Sequence, residues 1–366
     1  MIETRFKKTE VGVIPEDWKC VLLKTLVSDV FSGRNNKRSR LGRYPVYGST
    51  GIIANTDDFR YSEPSILVAR VGANAGLVNK VEGKYDVSDN TLIIPAKKED
   101  IDFLFYQLKN RDLNKMSYGS GQPLITGTQL KNLYVISIDD KSEQNRIAAA
   151  FSDIDALISD LEALIEKKQN IKQGVMQELL SGKRRLAGFT GKWEKKPFFE
   201  VLYSCNNKSK QIEQNQYLES GITPIVDQGK QLIGGYTDKV DPIKKETGPY
   251  IVFGDHTCFF KYVDFDFYLG ADGTQLLKCY KDYNTAYINY ACQMIALPNT
   301  GYDRHFKYLR DAVFFLPSLK AEQNSIAKVL MTMDSEINAL QARLDKYKQL
   351  KQGMMQQLLT GRIRLK

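Results

Sequence analysis

The residues best suited to binding another molecule form a basic stretch, FSGRNNKRSRLGR, early in the chain. It contains no acid, and its cations and amides are Arg34, Asn35, Asn36, Lys37, Arg38, Arg40 and Arg43. Arginine pairs with guanine and asparagine with adenine in the DNA major groove, whereas lysine mostly contacts phosphates. Because glycines flank the stretch, we expect a loop that either contacts DNA or remains a solvated basic loop.

Four further segments combine polar side chains with turn-forming residues. They read ARVGANAG, YGSGQP, CNNKSK and NTGYDRHFK. The DNA contacts predicted from them are Arg70, Asn74, Tyr118, Ser120, Gln122, Asn206, Asn207, Lys208, Lys210, Tyr302, Arg304, His305 and Lys307. Each segment is also compatible with an ordinary structural turn.

The chain shows no convincing enzyme motif. A nucleotide-binding G-x-x-x-x-G-K-[ST] loop is missing, and Asp241-Pro242-Ile243 does not replace the Pro-Pro-aromatic motif of an adenine methyltransferase. Asp58 with Glu82-x-Lys84 could hold Mg²⁺ in a nuclease, but such triplets arise often by chance in a chain this rich in charge. We therefore predict no catalytic residue and no metal site.

Length and composition favour a two-domain protein with an anionic partner. The 366 residues are 42% hydrophobic and carry a net charge of +9, which suits a polyanion. The five scattered cysteines form no metal motif, and we expect buried thiols. Since no apolar run of about 18 residues and no secretory signal is present, we expect a cytoplasmic protein without a membrane partner.

An internal repeat is the strongest feature of the sequence. Residues 143–186 and 322–365 align without a gap, sharing EQN at the start, KQG in the middle and LL-x-G near the end. Apolar residues step by four and three in each copy, as in the a/d seam of a coiled coil rather than the broader stripe of a helix lying on a globule. The seam residues are Ile147, Phe151, Ile154, Ile158, Leu161 and Ile165 in the first copy, and Ile326, Leu330, Met333, Ile337, Leu340 and Leu344 in the second.

These patterns predict two long helices, each about 39 residues or roughly 58 Å long. Ser142 can cap the first helix, and Gly182 and Gly361 occupy positions that favour a left-handed residue after a helix. The helices could dimerise with another chain, but two matching seams in one chain favour an intramolecular antiparallel coiled coil with pseudo-two-fold symmetry.

The regions between the helices read as mixed α/β domains. Runs such as PSILVARVG, NTLIIPA, PYIVFGD and LLKCY predict strands, whereas DIDFLFYQLKN and NTAYINYACQMIA predict short helices. The fold class is thus α/β (α+β), with two domains separated by the long helices. The predicted boundaries are 1–141 for the first domain, 142–184 for the first helix, 185–320 for the second domain and 321–366 for the second helix.

With this arrangement, the chain resembles the specificity (S) subunits of type I restriction–modification systems, the HsdS family, along essentially its whole length. The resemblance rests on the two EQNxIA openings, the two KQGxMQxLLxG closings and the segment Asn299-Thr300-Gly301-Tyr302. It implies two target recognition domains that read a bipartite, asymmetric DNA site. It further implies two methyltransferase (M) subunits and restriction (R) subunits as partners. S-adenosylmethionine, ATP and Mg²⁺ would belong to those partners, which methylate adenine and restrict DNA.

One alternative stays open at this stage, a coiled-coil scaffold that binds proteins and never contacts DNA. It accounts for the helices but not for the twin basic, loop-rich domains. Salt dependence separates the two, because each phosphate neutralised by a DNA-binding protein adds about −0.9 to the log–log slope of affinity against salt.

Overall fold

The computed structural model describes residues 5–35, 41–95, 100–118, 123–298 and 303–366. Its contacts divide the chain into two compact units, one formed by Met1–Glu162 with Ala342–Lys366 and the other by Ala163–Gln341. Each unit therefore combines one globular domain with part of each long helix.

The first unit is a mixed α/β body. Its strands are β1 (Phe6–Thr9), β2 (Gly12–Pro15), β3 (Lys19–Leu22), β4 (Phe31–Ser32), β5 (Tyr44–Gly48), β6 (Gly51–Thr56), β7 (Ser65–Ala69), β8 (Val78–Val81), β9 (Asp86–Val87), β10 (Thr91–Pro95) and β11 (Tyr134–Ser137). Its helices are α1 (Ile101–Lys109), α2 (Gly127–Lys131) and the first part of α3 (Lys141–Leu180). The strand orders are β4-β10-β7-β8, β6-β5-β9, β11-β3 and β1-β2.

The second unit has closely similar elements. Its strands are β12 (Trp193–Pro197), β13 (Leu202–Ser204), β14 (Gln211–Ile212), β15 (Thr223–Val226), β16 (Gly235–Thr237), β17 (Tyr250–Gly254), β18 (Phe260–Val263), β19 (Tyr268–Gly270), β20 (Thr274–Cys279) and β21 (Val313–Pro317). Its helices are α4 (Phe198–Val201), α5 (Thr285–Gln293) and the first part of α6 (Lys320–Leu358). The strand orders are β13-β20-β17-β18, β14-β19-β15-β16 and β12-β21.

The two units share one topology. The sheet β4-β10-β7-β8 matches β13-β20-β17-β18, and the parallel pair β5·β9 with its antiparallel neighbour β6 matches β15·β19 with β16. The four segments predicted as strands and the two predicted as short helices are confirmed as β7, β10, β17, β20, α1 and α5. The repeat seen in the helical sequences thus extends to the globular domains, where the sequences have diverged.

Segments of the two long helices run antiparallel within each unit. Residue numbers along α3 rise while those of their ion-pair partners along α6 fall: Asp155–Lys351 and Glu162–Lys348 in the first unit, and Lys168–Glu336 and Lys172–Asp334 in the second. Glycines in left-handed conformation follow both helices as predicted, Gly182 at φ 72° and Gly361 at φ 68°. The cap prediction is wrong, because the Asp140 carboxylate, not Ser142, accepts the first backbone N–H groups of α3.

The apolar positions of both helices are covered. Nine of the twelve predicted seam residues are buried, and Ile158, Met333 and Leu340 are half-buried. The first two positions of each seam also pack on a globular domain. Ile147 and Phe151 belong to the core of the first domain, and Ile326 and Leu330 to that of the second. The start of each helix therefore lies on a globule, which supplies more apolar surface there than a single facing helix offers.

The cysteines are free thiols, of which Cys279 and Cys292 are buried and the others half-buried. Burial raises the pKa of Cys279 to about 12, so this thiol stays protonated and unreactive. In the described part of the chain, no helix is long and apolar enough to cross a membrane.

Candidate nucleic-acid interface

In the first unit, the turns that follow β5 and β7 and the turn that precedes β10 lie together. We call the surface that they form the first rim. Ser49 follows β5, Arg70 and Asn74 follow β7, and Asn90 precedes β10. The Ser49 hydroxyl donates to the Asn90 carbonyl at 3.1 Å, and the Arg70 N–H donates to the same carbonyl at 2.9 Å. The Arg70 carbonyl accepts from Ile125 N–H at 2.9 Å, which holds Ile125 beside the turn that follows β7.

In the second unit, the equivalent turns follow β15 and β17 and precede β20. We call the surface that they form the second rim. Asp255 N–H donates to the Gly273 carbonyl at 2.6 Å, and His305 N–H donates to the Asp255 carbonyl at 2.9 Å. Gln228 follows β15, and its carbonyl accepts from the Thr257 hydroxyl at 2.5 Å. Four separate stretches of sequence are thereby fixed in one polar surface.

The two rims share a backbone frame but differ in side chains. Arg70 and Asp255 each follow the central strand of the matching sheet, and each makes the same two backbone hydrogen bonds. A cation therefore stands in the first rim where a carboxylate stands in the second. The Asp255 carboxylate is buried and accepts from Phe306 N–H at 2.7 Å, so the cation of the first rim has no counterpart at the surface of the second rim at this position.

Two residues of the second rim also have a strained backbone conformation. Cys258 at φ 60° and Asp272 at φ 62° are the non-glycine residues with positive φ in the described part of the chain. This conformation is costly for a side chain and tends to persist where the surrounding structure enforces it, often at binding sites. The rim's hydrogen bonds supply that enforcement, so its polar groups are held in place before a ligand arrives.

Several residues predicted to bind DNA lie on accessible surface. Those described as exposed are Arg34, Arg43, Asn74, Tyr118, Asn206, Asn207, Lys208, Arg304 and Lys307. Arg70 and Lys210 are half-buried, and Arg70 Nε is buried without a hydrogen-bond partner among the described residues. The Arg70 Nε is therefore not accessible to a partner unless the side chain changes conformation.

Two predictions are corrected by burial. Asn35 is 3% exposed, and its Nδ2 donates to Asp86 Oδ2 at 2.7 Å. His305 is also 3% exposed, with its Nδ1 2.9 Å from the Asp255 carbonyl oxygen. Both side chains hold their domains together instead of facing a partner, because each is drawn inward by a group about 50 residues away in sequence.

Two predicted amides are engaged inside the second domain. Asn206 Oδ1 accepts from Leu276 N–H at 2.5 Å, so this side chain stabilises β20 on the side where β13 pairs with it. Asn207 Oδ1 accepts from Ser209 N–H at 3.1 Å and stabilises a local turn. Neither engagement removes the side chain from the surface.

Two predicted lysines have acidic partners. Lys210 pairs with Asp241, and Lys307 Nζ lies 2.8 Å from Asp303 Oδ2. The hydrogen bond from Lys307 lowers the pKa of Asp303 to about 2, so this carboxylate is charged at neutral pH. Paired lysines attract a polyanion less strongly than unpaired ones.

Seven predicted residues lie outside the described residues, namely Asn36, Lys37, Arg38, Arg40, Ser120, Gln122 and Tyr302. Conversely, the structure brings Ser49, Asn90, Gln228, His256 and Asp272 into the rims, and sequence reasoning did not select them. A signal was available for Gln228, which comes shortly after the β-branched strand β15 and directly before Gly229.

In each unit, an arginine that follows one long helix pairs with a buried glutamate near the start of the other long helix. We call this ion pair the clamp. Arg364 at the end of the chain donates to the buried Glu143 carboxylate at 2.6 and 2.7 Å. In the second unit Arg185 donates to the buried Glu322 carboxylate at 2.9 and 2.5 Å. Such bidentate arginine–carboxylate pairs fix geometry as well as charge. The hydrogen bond to Glu143 raises the pKa of Arg364, so this guanidinium stays protonated at any physiological pH.

A second repeated network joins α1 and α5 to the helix segments. Tyr106 Oη donates to Asp155 at 3.2 Å, and Lys351 pairs with the same carboxylate. In the second unit Tyr290 Oη donates to Asp334 at 2.5 Å, and Lys172 lies 2.5 Å from the other oxygen of that group. Burial, followed by the neighbouring carboxylate, raises the pKa of both tyrosines, which therefore remain donors.

The two clamps differ in one respect. In the first unit Arg364 also donates to Asp17 at 2.9 Å, and Trp18 Nε1 donates to Glu143 at 3.4 Å. In the second unit Trp193 Nε1 is buried without a hydrogen-bond partner among the described residues. The clamp of the first unit is thus part of a larger hydrogen-bond network, which includes Asp17 and Trp18.

Known proteins resemble this chain in sequence. Residues 15–173 match the family model described as the type I restriction modification DNA specificity domain. The putative type I restriction enzyme MjaX specificity subunit of Methanocaldococcus jannaschii is 26% identical across this whole chain and 98% of its own length. The MjaVIII specificity subunit of the same organism is 30% identical over 50% of this chain and 49% of its own.

Solved structures show the same fold. A type I restriction–modification S subunit from M. genitalium superposes with a TM-score of 0.74 at 16% identity, covering 98% of this chain and 99% of its own. A chain from a study of complex assembly and conformational transition in the type I system gives a TM-score of 0.51 at 15% identity, covering 96% of this chain and 99% of its own.

Proposed function

The chain belongs to the family of type I restriction–modification specificity subunits, and from that premise we propose how it reads DNA. The first rim contacts one half of a bipartite, asymmetric site, and the second rim contacts the other half. The chain selects the sequence, while its partner subunits carry out adenine methylation and restriction.

The observation that carries this proposal is the shared backbone frame of the two rims with different side chains at matching positions. A common frame suits two contacts with the same regular duplex. Arg70 suits guanine acceptors, whereas the matching Asp255 is 3% exposed and its carboxylate accepts from Phe306 N–H, so the second rim would read its half-site with other side chains. The exposed Arg34, Arg43, Lys208 and Arg304 would add phosphate contacts that position the duplex.

The partners follow from the family. We propose that two methyltransferase subunits bind the chain and bring S-adenosylmethionine chemistry to each half-site, and that restriction subunits bring ATP and Mg²⁺. The antiparallel helix segments, with their repeated clamps, offer both methyltransferase copies equivalent surfaces. In the described part of the chain, no cluster of three or more His, Cys, Asp or Glu could hold a metal ion.

A domain exchange tests the reading of half-sites. Residues 1–141 would be replaced by the matching domain of a relative, and methylated adenines would be sequenced in a host that supplies the methyltransferase. One half of the methylated motif should change while the other half is retained. A change in both halves, or a single contiguous motif, would contradict the assignment of one half-site to each domain.

A salt titration tests DNA binding itself. Affinity of the assembled complex for duplex DNA should fall steeply with salt, by about 0.9 in log slope for each phosphate neutralised. A protein scaffold that does not bind DNA would show no such dependence. An Arg43→Ala variant is the matched probe, since loss of one phosphate contact should reduce the slope by about one.

A further inference from the structure

The turns that follow β7 and β17, one in each rim, end in the same way although they differ in length and sequence. They read RVGANAGL in the first rim and DHTCF in the second. The carbonyl of the final residue accepts from the N–H of the last strand residue before the turn. Ala69 N–H donates to the Leu77 carbonyl at 2.8 Å, and Gly254 N–H donates to the Phe259 carbonyl at 2.9 Å. Leu77 and Phe259 are therefore equivalent residues of the two rims.

The residue before each of them has the same uncommon backbone conformation. Gly76 has a φ of 91° and Cys258 a φ of 60°. Gly76 N–H donates to the Ala69 carbonyl, and Cys258 N–H donates to the Gly254 carbonyl, both at 2.8 Å. A positive φ is costly for a cysteine and persists only where the surrounding structure enforces it. The same bend thus fixes the backbone of the final residue in both turns.

This shared position carries a large apolar side chain that solvent reaches in both units. Leu77 is 46% exposed and Phe259 is 41% exposed. A single exposed apolar residue is common on protein surfaces and needs no explanation. Here, however, two turns whose other residues have diverged expose such a residue at one matching place. Its recurrence indicates a function in the contact that both rims make.

The chemistry of DNA limits what these two side chains can contact, and this step rests on the proposed function of the rims. In the major groove the apolar group of the bases is the 5-methyl group of thymine. Exposed leucine and phenylalanine can also insert between base pairs, which requires a side chain that protrudes almost completely. More than half of each side chain is covered by its own domain. Each therefore offers one apolar face, which suits a methyl group better than insertion.

A polar neighbour in the first rim supports the same choice. Leu77 N–H donates to the Asn74 carbonyl at 3.0 Å, so the two residues lie in one tight turn, and the Asn74 residue is exposed. Asparagine amides pair with the major-groove edge of adenine. An amide and an apolar side chain that are held together match the two bases of A·T pairs, one of which offers hydrogen-bonding groups and the other a methyl group.

We propose that Leu77 and Phe259 are specificity-determining residues that contact thymine 5-methyl groups in the major groove. Leu77 contacts a thymine of the first half-site, and Phe259 contacts a thymine of the second. Each half-site contains at least one thymine, because it contains the adenine that the partner subunits methylate. The two rims thus share one apolar contact at a fixed point of their common frame, and the polar residues around it differ between them.

Duplexes that contain deoxyuridine test this contact, because deoxyuridine pairs as thymidine does and lacks only the 5-methyl group. The complex of the chain with its methyltransferase subunits would be titrated with a duplex carrying its methylated motif. Two further duplexes would have all thymines of one half-site replaced by deoxyuridine. Each replacement should weaken binding about fourfold, the value expected for one buried methyl group. Leu77→Ala should remove the effect in the first half-site alone, and Phe259→Ala should remove it in the second alone.

Each alanine variant is the matched control for the other. Because every comparison uses one protein with two duplexes, a general loss of stability or affinity leaves the ratio of the two affinities unchanged. Two results would overturn the proposal while the complex still prefers its own motif to a scrambled duplex. One is a change of less than about twofold on replacement by deoxyuridine. The other is an effect of deoxyuridine that persists in the corresponding alanine variant. Loss of the preference for the motif itself would instead contradict the proposed function, and this inference with it.

Discussion

Replacing Arg364 by methionine should destabilise the first unit strongly, because it leaves the Glu143 carboxylate buried without a counter-charge. Glu143 is 0% exposed, and the Arg364 side chain that faces it is 11% exposed. Removing one partner of such a pair costs about 3 kcal/mol, at the lower end of the range for buried pairs since Arg364 reaches solvent. The additional pair of Arg364 with the exposed Asp17 contributes little.

A double-mutant cycle separates this effect from general disruption. Glu143→Gln alone should cost about 1 kcal/mol, because Gln can still accept from Trp18 Nε1 and Arg364 keeps Asp17. The double variant should cost about 2 kcal/mol, less than the sum of the two single changes, because no uncompensated charge stays buried. The coupling of about 2 kcal/mol is the quantity to be measured.

Urea denaturation followed by tryptophan fluorescence provides the assay. The chain has two tryptophans, one in each unit, so a Trp193→Phe background leaves Trp18 as the reporter of the first unit. Lys19→Met is the matched control, since its ion pair with Asp139 is 57% and 70% exposed and should contribute under about 1 kcal/mol. If Arg364→Met had no larger effect than Lys19→Met, or if the two changes were additive, the clamp would not have the role inferred here.

Three further outcomes are expected. Leu161→Asp, at a position 5% exposed, should lower the melting temperature measured by circular dichroism because it buries an unpaired charge, whereas Leu164→Asp, at a position 40% exposed, should change it little. The hydrogen bond from Arg364 lowers the pKa of Asp17 below its usual 3.8, so its stabilising contribution is present above about pH 4 and is lost as the pH falls through the folded-state pKa. Asp17→Asn should remove this part of the acid-unfolding profile. Arg70→Ala should weaken binding to the cognate duplex by about 1–3 kcal/mol and relax specificity within one half-site, measured by competition with single-base variants.

The sequence predicted well the features that depend on local periodicity. The long helices, the strands β7, β10, β17 and β20, and the short helices α1 and α5 all appear where the patterns place them. The clamps could also have been predicted from the sequence, although they were not. Glu143 and Arg364 recur as Glu322 and Arg185 at matching places in the two repeats.

The rims could not be predicted, because they depend on contacts between distant segments. Ser49 meets Asn90 across 41 residues, and no pattern around either residue indicates the meeting. Asn35 looked like a DNA contact within its basic stretch, yet a carboxylate 51 residues away draws it into the domain. For the same reason the sequence did not show that Ile147, near the start of α3, also packs in the core of the first domain.

The first unit is closed by the last segment of the chain, where Gly361 packs on Pro15 and Trp18 and Arg364 reaches Glu143. During synthesis the amino-terminal domain therefore leaves the ribosome with its clamp incomplete, and it gains its final contacts only after more than 200 further residues have been added. A stop codon at or before Gly361 would remove Arg364 and so leave Glu143 of the first unit without its counter-charge. A truncation at this point should accordingly appear as a defect of the first unit, whose globular domain is translated before the second.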